Sequence, residues 1–494
     1  MPSSTSPPKA VVMARQVLVF LLLAWTVRLL VNWTLGRLHL AYVPAFFQAS
    51  DIFADSVKSA LAQRAVTAPL LTDPKVLHWP ALFRSYLFDN TYLTPGMSIY
   101  WEPPLAALQF MGVGRLIVLS SPWAALATEV AVYALGVASF AWLLTRLEAL
   151  SACTAVLLAA PMCLSYPALV MLDRGNFHSG FASLCLAVYF CTAFTGRWRW
   201  LGVMALCYSI NVRPNTAIVA LVELVLARDF ISAVRFPVVI AAISGGIFFC
   251  SLLIVHQIDT GYEFSSFVNG YDLYQKKYII DGLGLAWNDS LYGAVQILRL
   301  MFGLTPAYSR VASGIVSAMG VVSLLGFVWL AASGRLRRGE AFFAAAAFCA
   351  LFTPVYGQYH ILIFVGVLAV LALESVRRPN LQWAWLGFVL LAVIGCAADL
   401  VPNRISVLLL LLGSVFIITR LRVEDGDDMI WVVSLLVLAP LGGQYANGVL
   451  VAALLAAAML ALYVRAVRRP VVTAAPLIAW FQGRIRNAAK AYRG

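Results

Sequence analysis

ASDIFADSVKSAL (Ala49–Leu61) and, further along the same polar segment, SIYWEPPLAAL (Ser98–Leu108) form the stretch on which the reading of this chain turns. Asp51, Asp55, Asp73, Asp89 and Glu102 all fall within it, although only 12% of the chain is charged. Carboxylates at that density do not sit in a hydrocarbon core, where each ion carries a large desolvation cost. An apolar run, Val17–Val31, precedes the stretch, and the segment after Pro104 turns apolar again. A polar loop held between membrane spans is therefore the first place to look for chemistry at a membrane surface, and the rest of the sequence reads as its scaffold.

Composition agrees. Apolar residues make up 62% of the 494 residues, and the mean hydropathy is +0.87, whereas soluble domains are about 45–50% apolar. Val17–Val31, Pro237–Val255, Gly314–Ala332, Ile361–Leu373 and Ile405–Ile418 read as helices crossing a core of roughly 30 Å. Short alternating strands, as a barrel would need, are not seen. MPSSTSPPKAVVMARQ resembles the positive region of a signal peptide. The run behind it contains Arg28 and reaches VNWTLGRLHL without a small-residue cleavage site, so it reads as a retained first helix. All eight cysteines lie inside apolar runs, as packing residues do, which points to neither a disulfide framework nor a metal site. The net charge of +13 comes from arginines clustered beside spans, a topology signal rather than a nucleic-acid surface.

Those clusters fall at Arg146, Arg197 and Arg199, Arg228 and Arg235, Arg335 to Arg338, Arg377 and Arg378, Arg420 and Arg422, and Arg465 to Arg469. Placing them all in the cytoplasm satisfies the positive-inside rule for every short loop on one side. The opposite, extracytoplasmic face then receives loops 36–104 and 257–306, the turns at Asp173–Asn176 and Asn211–Asn215, and the Thr353–His360 segment. The parity puts both termini in the cytoplasm. The expected fold is an all-α, multi-pass protein of the inner (plasma) membrane with about 12–14 transmembrane helices. It divides into a core over 1–375, C-terminal transmembrane helices over 376–470, and a basic amphipathic cytoplasmic helix over 471–494. Leu201–Ile210 and Thr216–Leu226, flanking NVRPN, are too short to cross alone, which predicts a cavity at membrane depth. No internal repeat is evident, against common transporter folds.

Asp51 and Asp55, at i and i+4, share a helix face and suit a general base; caps or a solvated surface are the plainer reading. MLDRGNFHSG brings Asp173, Arg174, Asn176 and His178 to one turn, where an Asp–Arg pair can simply fix the turn. Arg213, beside a proline that starts the next helix and flanked by Asn211 and Asn215, suits a phosphate cradle; the alternative is a snorkelling arginine. His360 ends FTPVYGQYH and joins Tyr356 and Gln358 as donors at the same level. None of the five histidines has metal-ligand spacing, and the sequence has no P-loop, GxGxxG or GxSxG.

Taken together, the acid after the first helix, EPPLAAL, GNFHSG, RPN, NDSLYG and TPVYGQYH resemble the polytopic GT-C glycosyltransferases. The similarity is closest to glycosyltransferase family 87, which includes mannosyltransferases that elaborate phosphatidylinositol mannosides. The family's loop aspartate matches Asp51, and its tyrosine and paired prolines match Tyr100 and Pro103–Pro104. Gly175–Asn176, Arg213–Pro214 and His360 match its later motifs. Two departures stand out: Asp55 replaces a tyrosine, and Glu102 occupies a position usually less acidic.

The resemblance implies transfer of mannose, or another hexose or pentose, from a polyprenyl-phosphate-linked sugar donor to a lipid or glycan acceptor, on the extracytoplasmic face and with inversion. It makes Asp51 the general base and Arg213, His360 and Arg174 the donor-phosphate ligands. Asp55, Asp89, Tyr100, Glu102, Asn176, Tyr356 and Gln358 are then expected to bind substrate. Neither a cofactor nor a metal is required, and besides the substrates the partners are membrane lipids, not nucleic acid. The alternative is a polytopic transporter or flippase of a lipid-linked substrate, which would place charges at the midplane or on both faces. A polymerase or ligase would bring an arginine-rich outer loop, which this chain lacks.

Overall fold

The computed structural model describes residues 54–61, 70–88, 102–147, 151–193, 195–227, 229–279, 288–374, 430, 433–434, 437–438 and 444–470. The α-helices are, in chain order, α1 (Ala54–Leu61), α2 (Ala81–Phe88), α3 (Pro104–Leu119), α4 (Pro122–Arg146), α5 (Ala152–Ala159), α6 (Pro161–Leu164), α7 (Tyr166–Arg174), α8 (Phe177–Thr192) and α9 (Arg199–Val212). They continue with α10 (Glu223–Leu226), α11 (Phe230–Ile258), α12 (Phe264–Ile279), α13 (Leu291–Met301), α14 (Pro306–Ala332), α15 (Arg338–Phe352), α16 (Ile363–Glu374) and α17 (Gln444–Arg468). Tight 3-10 segments run over Pro74–His78, Pro214–Val222 and Gln358–Leu362. Among the described residues β pairing is limited to an isolated bridge between Asn288 and Gly357.

Helix starts obey local chemistry. Ser121, Asp229 and Ser290 each accept a hydrogen bond from a backbone N–H in the first turn of α4, α11 and α13, satisfying donors that a helix start leaves orphaned. Prolines occupy the opening turn of α3, α4 and α14, where no N–H is needed.

α4, α11, α14 and α17 contain stretches long and apolar enough to cross a membrane. Their large side chains face outward: Leu135, Phe249 and Leu325 are each more than 60% exposed. In water such faces would drive association, so they belong against lipid, and the described residues are those of a helical membrane protein. Two of the expected spans, Pro237–Val255 and Gly314–Ala332, lie inside α11 and α14. Val17–Val31, Ile405–Ile418 and the 471–494 helix lie outside the described residues, as do several of the arginine clusters.

The core is built on α8, α15 and α16. α15, RGEAFFAAAAFCALF, is buried on nearly every side, as an apolar helix without a polar face must be. α8 meets α16 so closely that a Cβ on Gly366 would stand 2.8 Å from the Ala187 backbone. Small residues allow that approach where no water-driven force holds helices together. A second, smaller core lies over α1, α2 and the 3-10 turn of residues 74–78, where Val57, Leu61, Val76 and Phe83 pack on Val113 and Ile117 of α3 and on Leu126 of α4. The described parts of the acid-rich segment therefore form a helical cap on α3.

The short segments beside NVRPN are as brief as expected. α9 rises about 21 Å at 1.5 Å per residue. Its return path is mostly 3-10 helix, which rises about 2.0 Å per residue, so a shorter segment covers a similar depth. Polar groups consequently gather in two bands. At one end Tyr189 and Arg199 both donate to Glu223, while Arg469 grips Glu340 with two bonds of 2.6 Å. The other band, at the opposite ends of α9 and α15, holds the site. α17 links the two, since Gly448 lies against the Asn288 carbonyl and Arg469 closes the far end.

Candidate functional site

The site is assembled from helix ends. α7 stops at Gly175, whose φ of 69° lies in the left-handed region. The Asn176 N–H bonds the Met171 carbonyl at 2.9 Å and the Gly175 N–H bonds Leu172 at 3.3 Å, a Schellman closure. That closure turns the chain directly into α8, so Arg174, Asn176, His178 and Ser179 share one level. Pro214 forces Arg213 out of helical conformation, to φ −138° and ψ 88°, and so ends α9. The guanidinium thereby projects from a helix end instead of lying along its flank.

Asp55, in the first turn of α1, is gripped from two sides. Arg174 Nη2 and Nε donate to its Oδ1 at 2.6 and 3.1 Å, and Asn176 Nδ2 donates to its Oδ2 at 3.1 Å. Because a carboxylate only accepts, this contact fixes the Asn176 amide orientation. Asn176 Oδ1 is then buried with no hydrogen-bond partner, an acceptor awaiting a donor.

Arg213 occupies the centre. Nε donates to Ser179 Oγ at 3.1 Å, and Nη2 donates to Ser179 Oγ and to His178 Nε2, the latter at 3.0 Å. Arginine has no acceptor, so His178 Nε2 is unprotonated and its proton sits on Nδ1. The opposite tautomer holds at His360: the Gly357 N–H donates to Nδ1 at 3.0 Å, leaving Nε2–H to donate to Ser179 Oγ at 3.3 Å. Both imidazoles are thus neutral, and among the described residues no carboxylate forms an ion pair with Arg213.

Arg213 and His360 line a cavity with Glu102, Asn215, Tyr271 and Thr353. It holds about 560 Å³ of empty space, counting its open mouth. Glu102 precedes α3, and Tyr262 donates to its backbone carbonyl. Burial pushes the Glu102 carboxyl above the ordinary carboxylate range; Arg213 pulls it down and the Asp55 charge pushes it up. One wall is set by the segment before α16: Asn215 Nδ2 donates to Thr353 Oγ1 at 3.0 Å, and Thr353 in turn bonds the Cys349 carbonyl at 2.6 Å.

Behind that wall the NDSLYG loop braces the Thr353–His360 turn. Asn288 Oδ1 accepts from the Tyr356 N–H at 3.0 Å and its Nδ2 donates to the Pro354 carbonyl at 3.1 Å. Asp289 is fully buried beside Gln358; burial raises its carboxyl above the usual range, and the hydrogen bond with Gln358 pulls it the other way.

Of the expected site residues, the structure brings Asp55, Arg174, Asn176, Glu102, Arg213 and His360 to one end of the helices. Tyr356 and Gln358 stand behind the cavity wall. The Tyr356 hydroxyl is spent on the His360 carbonyl at 3.0 Å, and Gln358 is buried next to Asp289. Asp51, Asp89 and Tyr100 lie outside the described residues. Ser179, the hub between arginine and histidine, escapes the sequence reading, although GNFHSG contains it. Thr353 and Tyr271 escape it as well; the T-P pair signals the first, and nothing local signals the second. Among the described residues no group of His, Cys, Asp and Glu is arranged to hold a metal. Compared with known proteins, the chain matches no family model, no curated protein and no solved structure.

Proposed function

We propose that this protein is a membrane glycosyltransferase of GT-C type, moving a sugar from a polyprenyl-phosphate donor to a lipid or glycan acceptor at the extracytoplasmic face. The observation that carries the reading is the Arg213 guanidinium. It is held in place by neutral groups at the start of α8, and it lines a cavity with no carboxylate in ion-pair contact among the described residues. Nη1 makes no bond to a described residue, and the positive end of the α8 dipole adds to the field. A lipid-linked phosphate supplies the missing anion, and a leaving group already anionic needs charge stabilisation rather than protonation. His360 lines the same wall, with its Nε2–H given to Ser179, the residue that also holds Arg213. Arg174, committed to Asp55, acts instead by holding the cap on the site.

The remaining parts suit the acceptor. A carboxylate takes the proton as the acceptor hydroxyl attacks the anomeric carbon with inversion. The reading puts the site band outside the plasma membrane and the Arg199, Arg335 and Arg469 band in the cytoplasm, in keeping with the positive-inside rule. Against a transporter stands the contrast between the bands: in the far one the buried carboxylates Glu223 and Glu340 are each paired to arginine.

The test is purified protein in lipid nanodiscs with radiolabelled polyprenyl-phosphate mannose, then other polyprenyl-phosphate sugars, and a membrane lipid extract. Label entering a new glycolipid with the wild type but not with Arg213→Ala supports the reading. Absence of transfer from every donor, together with donor movement across the bilayer, replaces it with the transporter.

A further inference from the structure

The resemblance points to Asp51 as base, a residue outside those described; among the described residues the carboxylate that lines the cavity is Glu102. We infer that Glu102 is the general base of this protein, taking the acceptor proton across the cavity from Arg213. This rests on the transferase reading above and specifies its proton acceptor.

Glu102 feels the charges of both Arg213 and Asp55, and the surroundings of the two carboxylates differ. Asp55 is consumed: three hydrogen bonds from Arg174 and Asn176 occupy both oxygens, and its charge is cancelled at 2.6 Å. A carboxylate so engaged has both oxygens already bonded to its neighbours. Glu102 has no such partner among the described residues and lines the cavity beside His360 and Arg213. Its position is also fixed: the Tyr262 hydroxyl holds its carbonyl, and Pro103–Pro104 lock the chain into α3.

The charged and titratable groups facing Glu102 set its behaviour. Asp55 with Arg174 comes from α1 and α7, His178 and Arg213 from the ends of α8 and α9, His360 from the 3-10 turn, and Tyr262 and Tyr271 from the loop before α12 and from α12 itself. Desolvation makes the carboxylate basic, Arg213 keeps ionisation within reach, and a donor phosphate on Arg213 would weaken that restraint just as the acceptor arrives. The step then balances. The acceptor O–H proton passes to a Glu102 carboxylate oxygen, the acceptor oxygen bonds the anomeric carbon, and the bond from that carbon to the phosphate oxygen breaks with its electron pair on the leaving polyprenyl phosphate. Water takes the proton from Glu102 afterwards.

The experiment compares wild type, Glu102→Gln, Glu102→Asp and Asp51→Asn for transfer at saturating acceptor, and separately for binding of polyprenyl-phosphate mannose. Glu102→Gln is expected to bind donor as the wild type does and to lose about a hundredfold or more in kcat, the usual contribution of a general base. Glu102→Asp should keep part of the rate. The wild-type rate should rise with pH through a limb above the ordinary glutamate value of about 4.3, and Asp55→Asn should move that limb down. Transfer by Glu102→Gln within tenfold of wild type overturns the inference and leaves the transferase intact. So does a loss recovered by added acceptor, which would mark Glu102 as a binding group. A wild type that moves no label removes the transferase reading itself.

Discussion

A lysine in place of Arg213 would keep the charge and lose the fork. Nε and Nη2 are committed to Ser179 and His178, and only a planar guanidinium can make those bonds while presenting Nη1 to a ligand. Arg213→Lys is therefore expected to weaken donor binding roughly ten- to hundredfold, the worth of a charged hydrogen bond, as read by donor titration in nanodiscs. Glu102 gives a stability test with a definite sign. Its carboxyl is raised in the fold, so the folded state holds the proton at pH values where the unfolded chain has released it. Stability is fully present below the unfolded value and declines as pH rises through the folded one. Glu102→Gln removes that titration and should flatten the fall, making the variant the more heat-resistant protein at neutral pH even as activity disappears; melting curves across pH report it. At this scale the sequence names residues better than it names their partners. Spacing pairs Arg174 with its neighbour Asp173, yet its ion pair is with Asp55, far away along the chain, because local spacing carries no information about how helix ends converge.

Helix punctuation is the most legible level. Pro104, Pro214 and the glycine of DRGN mark boundaries that the structure keeps, since each acts through backbone chemistry alone. The path of the chain beyond a boundary is less legible. NVRPN predicts a turn, but the long 3-10 return over Pro214–Val222 reflects packing against α15 and α9, which no single segment encodes. Gly175 permits a test at this scale. Its φ of 69° costs an L-residue about 1–2 kcal/mol, so Gly175→Ala should lower stability by that amount. It should also weaken acceptor use, because Asn176 and Ser179 are placed by the turn; thermal unfolding and acceptor KM read the two effects.

For the whole molecule, arginine clustering in the sequence reads as a topology signal, and among the described residues Arg199 meets Glu223 while Arg469 meets Glu340 and the Arg335 carbonyl. The far band offers a stability prediction independent of activity. Glu340 is fully buried and held by Arg469 through two bonds and by the Arg337 N–H at 2.7 Å. Arg469→Met leaves that carboxylate buried and unpaired, an expected loss of about 3–5 kcal/mol, whereas Arg469→Met with Glu340→Leu should recover most of it; unfolding in detergent distinguishes the two. α17 spans the distance between the bands, with Tyr463 bonded to the Ser323 carbonyl along the way. Its contact with Asn288 carries a consequence for biogenesis. The ribosome finishes the loop that braces His360 long before it finishes the helix on which that loop rests. A nascent chain therefore has no completed support behind His360 until Gly448 has been made, and protein stalled short of that point would lack the brace.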